Sequence, residues 1–163
     1  MLVNQEDKWE KLKVLDFLSP TAISVELAAT SKRAALDELV GLLAKDGKIK
    51  DAKATVEVLM EREKLGSTGI GQGIAIPHAK TDQAQDVVAA FGLSRRGVQF
   101  DALDGEPVYI FFLLIAPPTA AGLHLKALAR ISRLLKDKFF RQSLRDIKDP
   151  AEVLKTIREE DRY

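Results

Sequence analysis

The sequence has 163 residues, 46% of them hydrophobic and 30% charged, with 10 Gly and 6 Pro. That composition excludes disordered and fibrous chains and leaves one domain with a core of its own. Lys and Arg total 25 against 24 Asp and Glu, so a net charge of +1 gives no global field for holding nucleic acid or an anionic membrane.

Residues 1–19 read as a peripheral segment, charged and with Trp9, Leu12, Leu15 and Phe17 scattered through it, before Pro20 interrupts any helix. The domain is expected over residues 20–163. Thr30 or Ser31 caps a helix whose Leu36, Leu39, Val40 and Leu43 follow the i, i+3, i+4, i+7 rule, and Gly47 closes it. Asp51 opens a second helix with Ala52, Val56, Leu59 and Met60 on one face, ending near Lys64 before Gly66. Residues 66–73 hold four glycines and predict a loop. Ile74 to Ile76 predicts a short strand stopped by Pro77, and Val87 to Leu93 another. Val108 to Ala116 has no polar alternation, which predicts a central strand covered on both faces. Pro117 and Pro118 end it, and helices are expected over Ala121 to Lys136, Phe139 to Asp146 and Pro150 to Glu160. Helices before and after the strands make an α/β sandwich, with helices on both sheet faces, the economical architecture.

The absence of Cys removes disulfides, thiol nucleophiles and thiolate metal sites, and fits a reducing cytoplasm. Met1 to Lys13 does not read as a signal peptide, and the apolar run of Val108 to Ala116 is far short of the ~20 residues of a membrane helix. A cytoplasmic chain is expected.

Chemistry near neutral pH falls to two histidines, His78 and His124. His78 follows Pro77 at a strand end, where α/β folds place their sites. Two readings stand there. In one, an imidazole on a stiff support lies beside backbone N–H groups of Gly69, Gly71 and Gly73 and the hydroxyls of Ser67 and Thr68, which would together bind an oxyanion. In the other, the glycines make turns and the imidazole pairs with a backbone carbonyl. His124 falls in the stripe of Leu128, Ile131 and Leu135, with Lys126, Arg130 and Arg133 opposite, so it points inward. It is either a core histidine bonded to backbone or a partner of His78 at the exit of the central strand, where the helix terminus would favour a neutral ring.

Other motifs carry less. Gly69, Gly71 and Gly73 lack the dinucleotide-loop spacing, and no Gly-Lys-Ser/Thr is present. Asp101, Asp104 and Glu106 around Gly105 read as a turn rather than a cation loop. Two histidines 46 positions apart without Cys are a poor zinc set, which a carboxylate would have to complete. Lys126 to Arg145 carries seven basic residues and one acid, a solvated helix face in preference to a nucleic-acid footprint, since no aromatic interleaves there.

The run Glu61-Arg-Glu-Lys-Leu-Gly-Ser-Thr-Gly-Ile-Gly-Gln-Gly-Ile-Ala-Ile-Pro-His78 closely resembles the active-site block of enzyme IIA domains of the fructose/mannitol class (type 2) of the bacterial phosphoenolpyruvate-dependent phosphotransferase system, nearest the nitrogen-regulatory subgroup. The resemblance extends through Gln99 to Val108, the apolar strand and His124-Leu125, covering roughly residues 20–155. Ala79 departs from the Gly that often follows the family's histidine. By position, the resemblance implies that His78 is phosphorylated, on Nε2, with Arg62 and His124 assisting the phosphate. It also implies a mixed sheet flanked by helices, and neither metal nor organic cofactor. The donor would be a phosphohistidine on an HPr-like carrier protein. The acceptor would be a IIB domain in sugar-transporting members, while regulatory members bind and control other proteins. Ile70 and Ile74 are candidates for the carrier to dock against. The chemistry is coherent, since a neutral imidazole is a competent nucleophile at pH 7 and phosphoryl transfer asks chiefly for in-line positioning and charge neutralisation.

Overall fold

The computed structural model describes residues 11–162. In chain order it runs through β1 (Leu18–Ser24), α1 (Lys32–Lys45), α2 (Ala52–Lys64), β2 (Gly69–Gly71), β3 (Ile74–Ala75), β4 (His78–Lys80), β5 (Val88–Val98), β6 (Val108–Ala116), α3 (Ala121–Leu134), α4 (Lys138–Arg145) and α5 (Pro150–Glu160), with 3-10 turns at Val14–Asp16 and Pro118–Ala120. Caps fall where the chain chemistry puts them. The side chains of Ser31, Asp51, Asp137 and Asp149 accept the orphan N–H groups at the starts of α1, α2, α4 and α5.

The strands form one six-stranded mixed sheet in the order β1-β5-β6-β3-β2, with β4 also paired to β6. β1 is parallel to β5, β5 antiparallel to β6, and β3 and β4 both parallel to β6. β6 is central, as its unbroken apolar run predicts, and its alternation sorts two cores. Ile110, Phe112, Leu114 and Ala116 face a layer built from α3, α4, α5 and the first 3-10 turn. Phe111, Leu113 and Ile115 face α1 and α2. Helices on both faces of a mixed sheet is the architecture expected.

Three features depart from expectation. The peripheral segment drawn over residues 1–19 ends inside β1, and Val14, Phe17 and Leu18 are buried in the α3–α5 core. Pro20 therefore sits in a strand, tolerated because β1 is an edge. The part of that segment carrying Trp9 lies outside the described residues. Second, the glycine-rich run is half of a hairpin, β2 against β3, with Gly71 and Gly73 at φ +97° and +76° where it reverses. Third, β5 continues beyond the expected end at Leu93 to Val98, through an irregularity in its pairing with β6.

Candidate functional site

β3 and β4 are one strand interrupted by Pro77. Ile74 pairs with Ile110 and His78 with Leu114 in unchanged register, and the Pro77 carbonyl still accepts the Leu114 N–H at 2.9 Å. Proline costs the ladder one donor and keeps the chain extended into His78. The imidazole emerges half-buried on β4 beside the carboxyl end of β6, from which the chain turns into α3. His124, on the first turn of α3, meets it there, with ring centroids 5.8 Å apart and planes inclined at 45°.

Polar contacts of the two rings differ. His78 Nδ1 lies 2.7 Å from the Ile76 carbonyl, a group that can only accept, so the proton of the neutral ring is on Nδ1 and Nε2 holds a free lone pair. Burial lowers the His78 pKa from its ordinary value, opposed by the Ile76 bond; nearby Arg62 lowers it further and Glu63 raises it. His124 is 7% exposed, and its buried Nε2 has no hydrogen-bond partner. Its pKa falls to about 4, first through burial, then through His78 and Lys80. Desolvation, rather than the helix terminus, is thus the main reason this ring stays neutral.

Arg62 lies on the last turn of α2, close enough to His78 to be felt electrostatically, and its guanidinium donates to the Gly66 carbonyl at 2.9 Å. His78 and His124 thus meet at the end of β6, and Arg62 lies within electrostatic range of His78. In the expected oxyanion loop, the two hydroxyls and the Gly69 N–H already have partners within the chain. Ser67 Oγ donates to the Phe100 carbonyl and accepts from Gly69 N–H, while Thr68 is buried with its N–H and hydroxyl on Glu63. Gly69 is a glycine because a Cβ would stand 2.9 Å from that of Ala102. At Gly71 a Cβ would meet the Asp104 carboxylate at 3.2 Å, and the Gly73 carbonyl accepts from Tyr109 and Ile110. These residues shape and brace the hairpin. Among them Ile70 is exposed and Ile74 is buried, so only Ile70 is available for docking.

Over residues 16–160 the chain matches the family described as "Phosphoenolpyruvate-dependent sugar phosphotransferase system, EIIA 2". It belongs to that family. Similar proteins include a nitrogen regulatory protein of Bradyrhizobium diazoefficiens, 40% identical and covering 90% of this chain and 95% of the relative. Another is a fructose-specific EIIABC component of Bacillus subtilis, 36% identical over 93% of this chain, of whose length the chain spans 24%. The crystal structure of the nitrogen regulatory protein IIA-Ntr from Neisseria meningitidis superimposes with a TM-score of 0.80 at 34% identity, covering 87% of this chain and 97% of that one. These relatives support a place beside the nitrogen-regulatory EIIA proteins.

Three of the seven basic residues in this stretch of the EIIA domain have partners within the chain. Arg130 pairs with buried Asp161, Arg141 donates to the Leu135 and Lys136 carbonyls, and Arg145 stacks 4.0 Å from the Tyr109 ring centroid. Arg130 is therefore not on a free outer face as its helical position suggested, and exposed Phe139 does interrupt the stretch. Asp104 accepts the Glu106 and Gln72 N–H groups and holds its turn against the hairpin. No helix among the described residues is long and apolar enough to cross a membrane.

Sequence reasoning missed Glu63. Its side chain is only 3% exposed, paired with Lys32 Nζ at 3.0 Å. The signal was present, because Val56, Leu59 and Glu63 follow i, i+3, i+7 and put an acid on the buried stripe of α2.

Proposed function

We propose that His78 Nε2 accepts a phosphoryl group from a phosphohistidine carrier protein of the HPr type. The N–P bond of the donor breaks as the Nε2–P bond forms, and the donor imidazole leaves with the electron pair. The observation that carries this reading is the Nδ1 contact with the Ile76 carbonyl, which leaves Nε2 as the nucleophile and gives the positive charge that develops on the ring an acceptor already in place. Arg62 neutralises phosphoryl oxygens, and His124, whose buried Nε2 has no partner, supplies a donor to a phosphoryl oxygen in the tautomer that carries its proton there. No step calls for a metal or an organic cofactor.

Incubation with phosphoenolpyruvate, the general phosphotransferase enzyme and the carrier is expected to add one acid-labile phosphate, read by mass spectrometry. Its loss in His78→Ala supports the assignment, and its retention overturns it. Arg62→Ala is expected to slow labelling by about 10²-fold.

Onward use has two forms. The group passes to a IIB-type acceptor, or it changes which proteins the domain binds. The solved complex of enzyme IIAMTL with phosphorylated enzyme IIBMTL from Escherichia coli, 21% identical in sequence, is a precedent for the first. The nitrogen regulatory relatives favour the second. Pull-downs with wild type and His78→Asp are expected to recover different partners; identical sets would count against a switch.

A further inference from the structure

We propose that Glu63 is a positioning residue for phosphoryl acceptance: buried at the end of α2, it fixes the backbone that sets the proton of His78 and supports Arg62. The inference rests on His78 being the acceptor. Glu63 Oε1 accepts Thr68 N–H at 3.1 Å and lies 3.0 Å from Lys32 Nζ, while Oε2 accepts the Thr68 hydroxyl at 2.5 Å. Thr68 in turn accepts the Ile76 N–H through its carbonyl at 3.0 Å, and the Ile76 carbonyl accepts from His78 Nδ1 at 2.7 Å. Three successive contacts thus lead from the carboxylate to the nucleophile. The same residue closes the turn beside it. Gly66 N–H donates to the Glu63 carbonyl at 3.1 Å, and the Gly66 carbonyl takes the Arg62 guanidinium.

Lys32 argues that the carboxylate is the organising group. It is the first residue of α1, where the helix dipole disfavours a cation. Its side chain is nevertheless 14% exposed and lies over the Phe100 ring at 4.9 Å. A cation desolvated at the wrong helix end is accounted for by the acid it faces. The remaining charge nearby, Asp101, stands 3.9 Å from the ammonium and is 90% exposed, so it screens this pair little.

Glu63→Gln keeps the shape, removes one acceptor oxygen and turns an amide toward Lys32 or Thr68. In full-length protein with 15N-labelled histidine, wild-type His78 is expected to show a protonated Nδ1 and a bare Nε2, and Glu63→Gln to shift toward the opposite tautomer. Labelling from the phosphorylated carrier is expected to slow at least about tenfold at saturation with the carrier KM within about twofold. Thr68→Val, which removes only the hydroxyl, moves both readouts the same way by less and serves if Glu63→Gln does not fold. A folded variant with the wild-type tautomer, an unchanged saturating rate or only a raised KM overturns the proposal. If wild type takes no label on His78, the parent reading fails instead.

Discussion

Two buried acids hold the elements that carry the histidines, and they differ in what they grip. Behind His78, Glu63 takes the N–H and hydroxyl of Thr68, five residues along the same chain, and pairs with Lys32 from α1. On α3, six residues along from His124, Arg130 pairs with Asp161 at the end of α5, which also takes the Val14 N–H at 2.6 Å. The first cluster grips the hairpin that leads into the nucleophile. The second ties the start of the described chain to its end across α3, about 9 Å along the helix from His124 at 1.5 Å per residue. A buried carboxylate is therefore not by itself a mark of a site; what it holds decides its role.

The sharpest way to break this comparison is Asp161→Asn, which leaves Arg130 desolvated without its counter-ion. It is expected to cost about 3–5 kcal/mol, lowering Tm by about 10 °C, while labelling of His78 well below Tm stays within about twofold. A matched fall in labelling would make the two clusters alike. Next comes pH. His124 titrates near 6.5 when unfolded and at about 4 when folded, so between those values the unfolded chain binds more protons and stability rises with pH. Urea unfolding is expected to show up to about 3 kcal/mol lost as pH falls through that window, with His78 adding a contribution of the same sign, and His124→Phe is expected to lack the His124 share. An unchanged pH slope in His124→Phe would show the ring is not held neutral by burial.

Smaller effects sharpen the α1–α2 side. Gly92 lies in β5, where a Cβ would stand 2.6 Å from Leu27 and 2.9 Å from Leu39, so Gly92→Ala is expected to cost about 1–3 kcal/mol in denaturant unfolding. Arg33 and Glu57 join the same two helices as Lys32 and Glu63, at 2.8 Å, yet both side chains are 52% exposed. Arg33→Ala is expected to leave the urea midpoint unchanged within its measuring error. A larger loss would mean that exposure does not separate the two pairs.

Legibility followed the physics of each signal. Helix α1 could be read because its apolar stripe and Ser31 cap are local, and β6 because a strand buried on both faces has no polar alternation. β1 was hidden: the expected peripheral segment runs to Ser19 and no element is expected between it and Thr30, and only pairing with β5 makes Leu18–Ser24 a strand. The hairpin was hidden for a related reason, since its glycines answer to Ala102 and Asp104, more than 30 residues away in sequence. At the site, His78 and Arg62 stand in a motif legible by residue type and order. The partners of Ser67 and Thr68 are not in that motif, so their hydroxyls read as free when the fold commits them.

Beyond the EIIA motif that singles out Arg62, the chain by itself determined which residues can do chemistry here: two imidazoles and a proline that straightens the approach to His78. It did so because side-chain type and local backbone preference are written residue by residue. Tertiary structure alone decided which nitrogen of His78 is free, that His124 stands beside it unpartnered, and that Glu63 rather than the glycine amides anchors the loop. Those outcomes depend on which distant groups meet in space, and hydrogen bonding and desolvation act only once they have met.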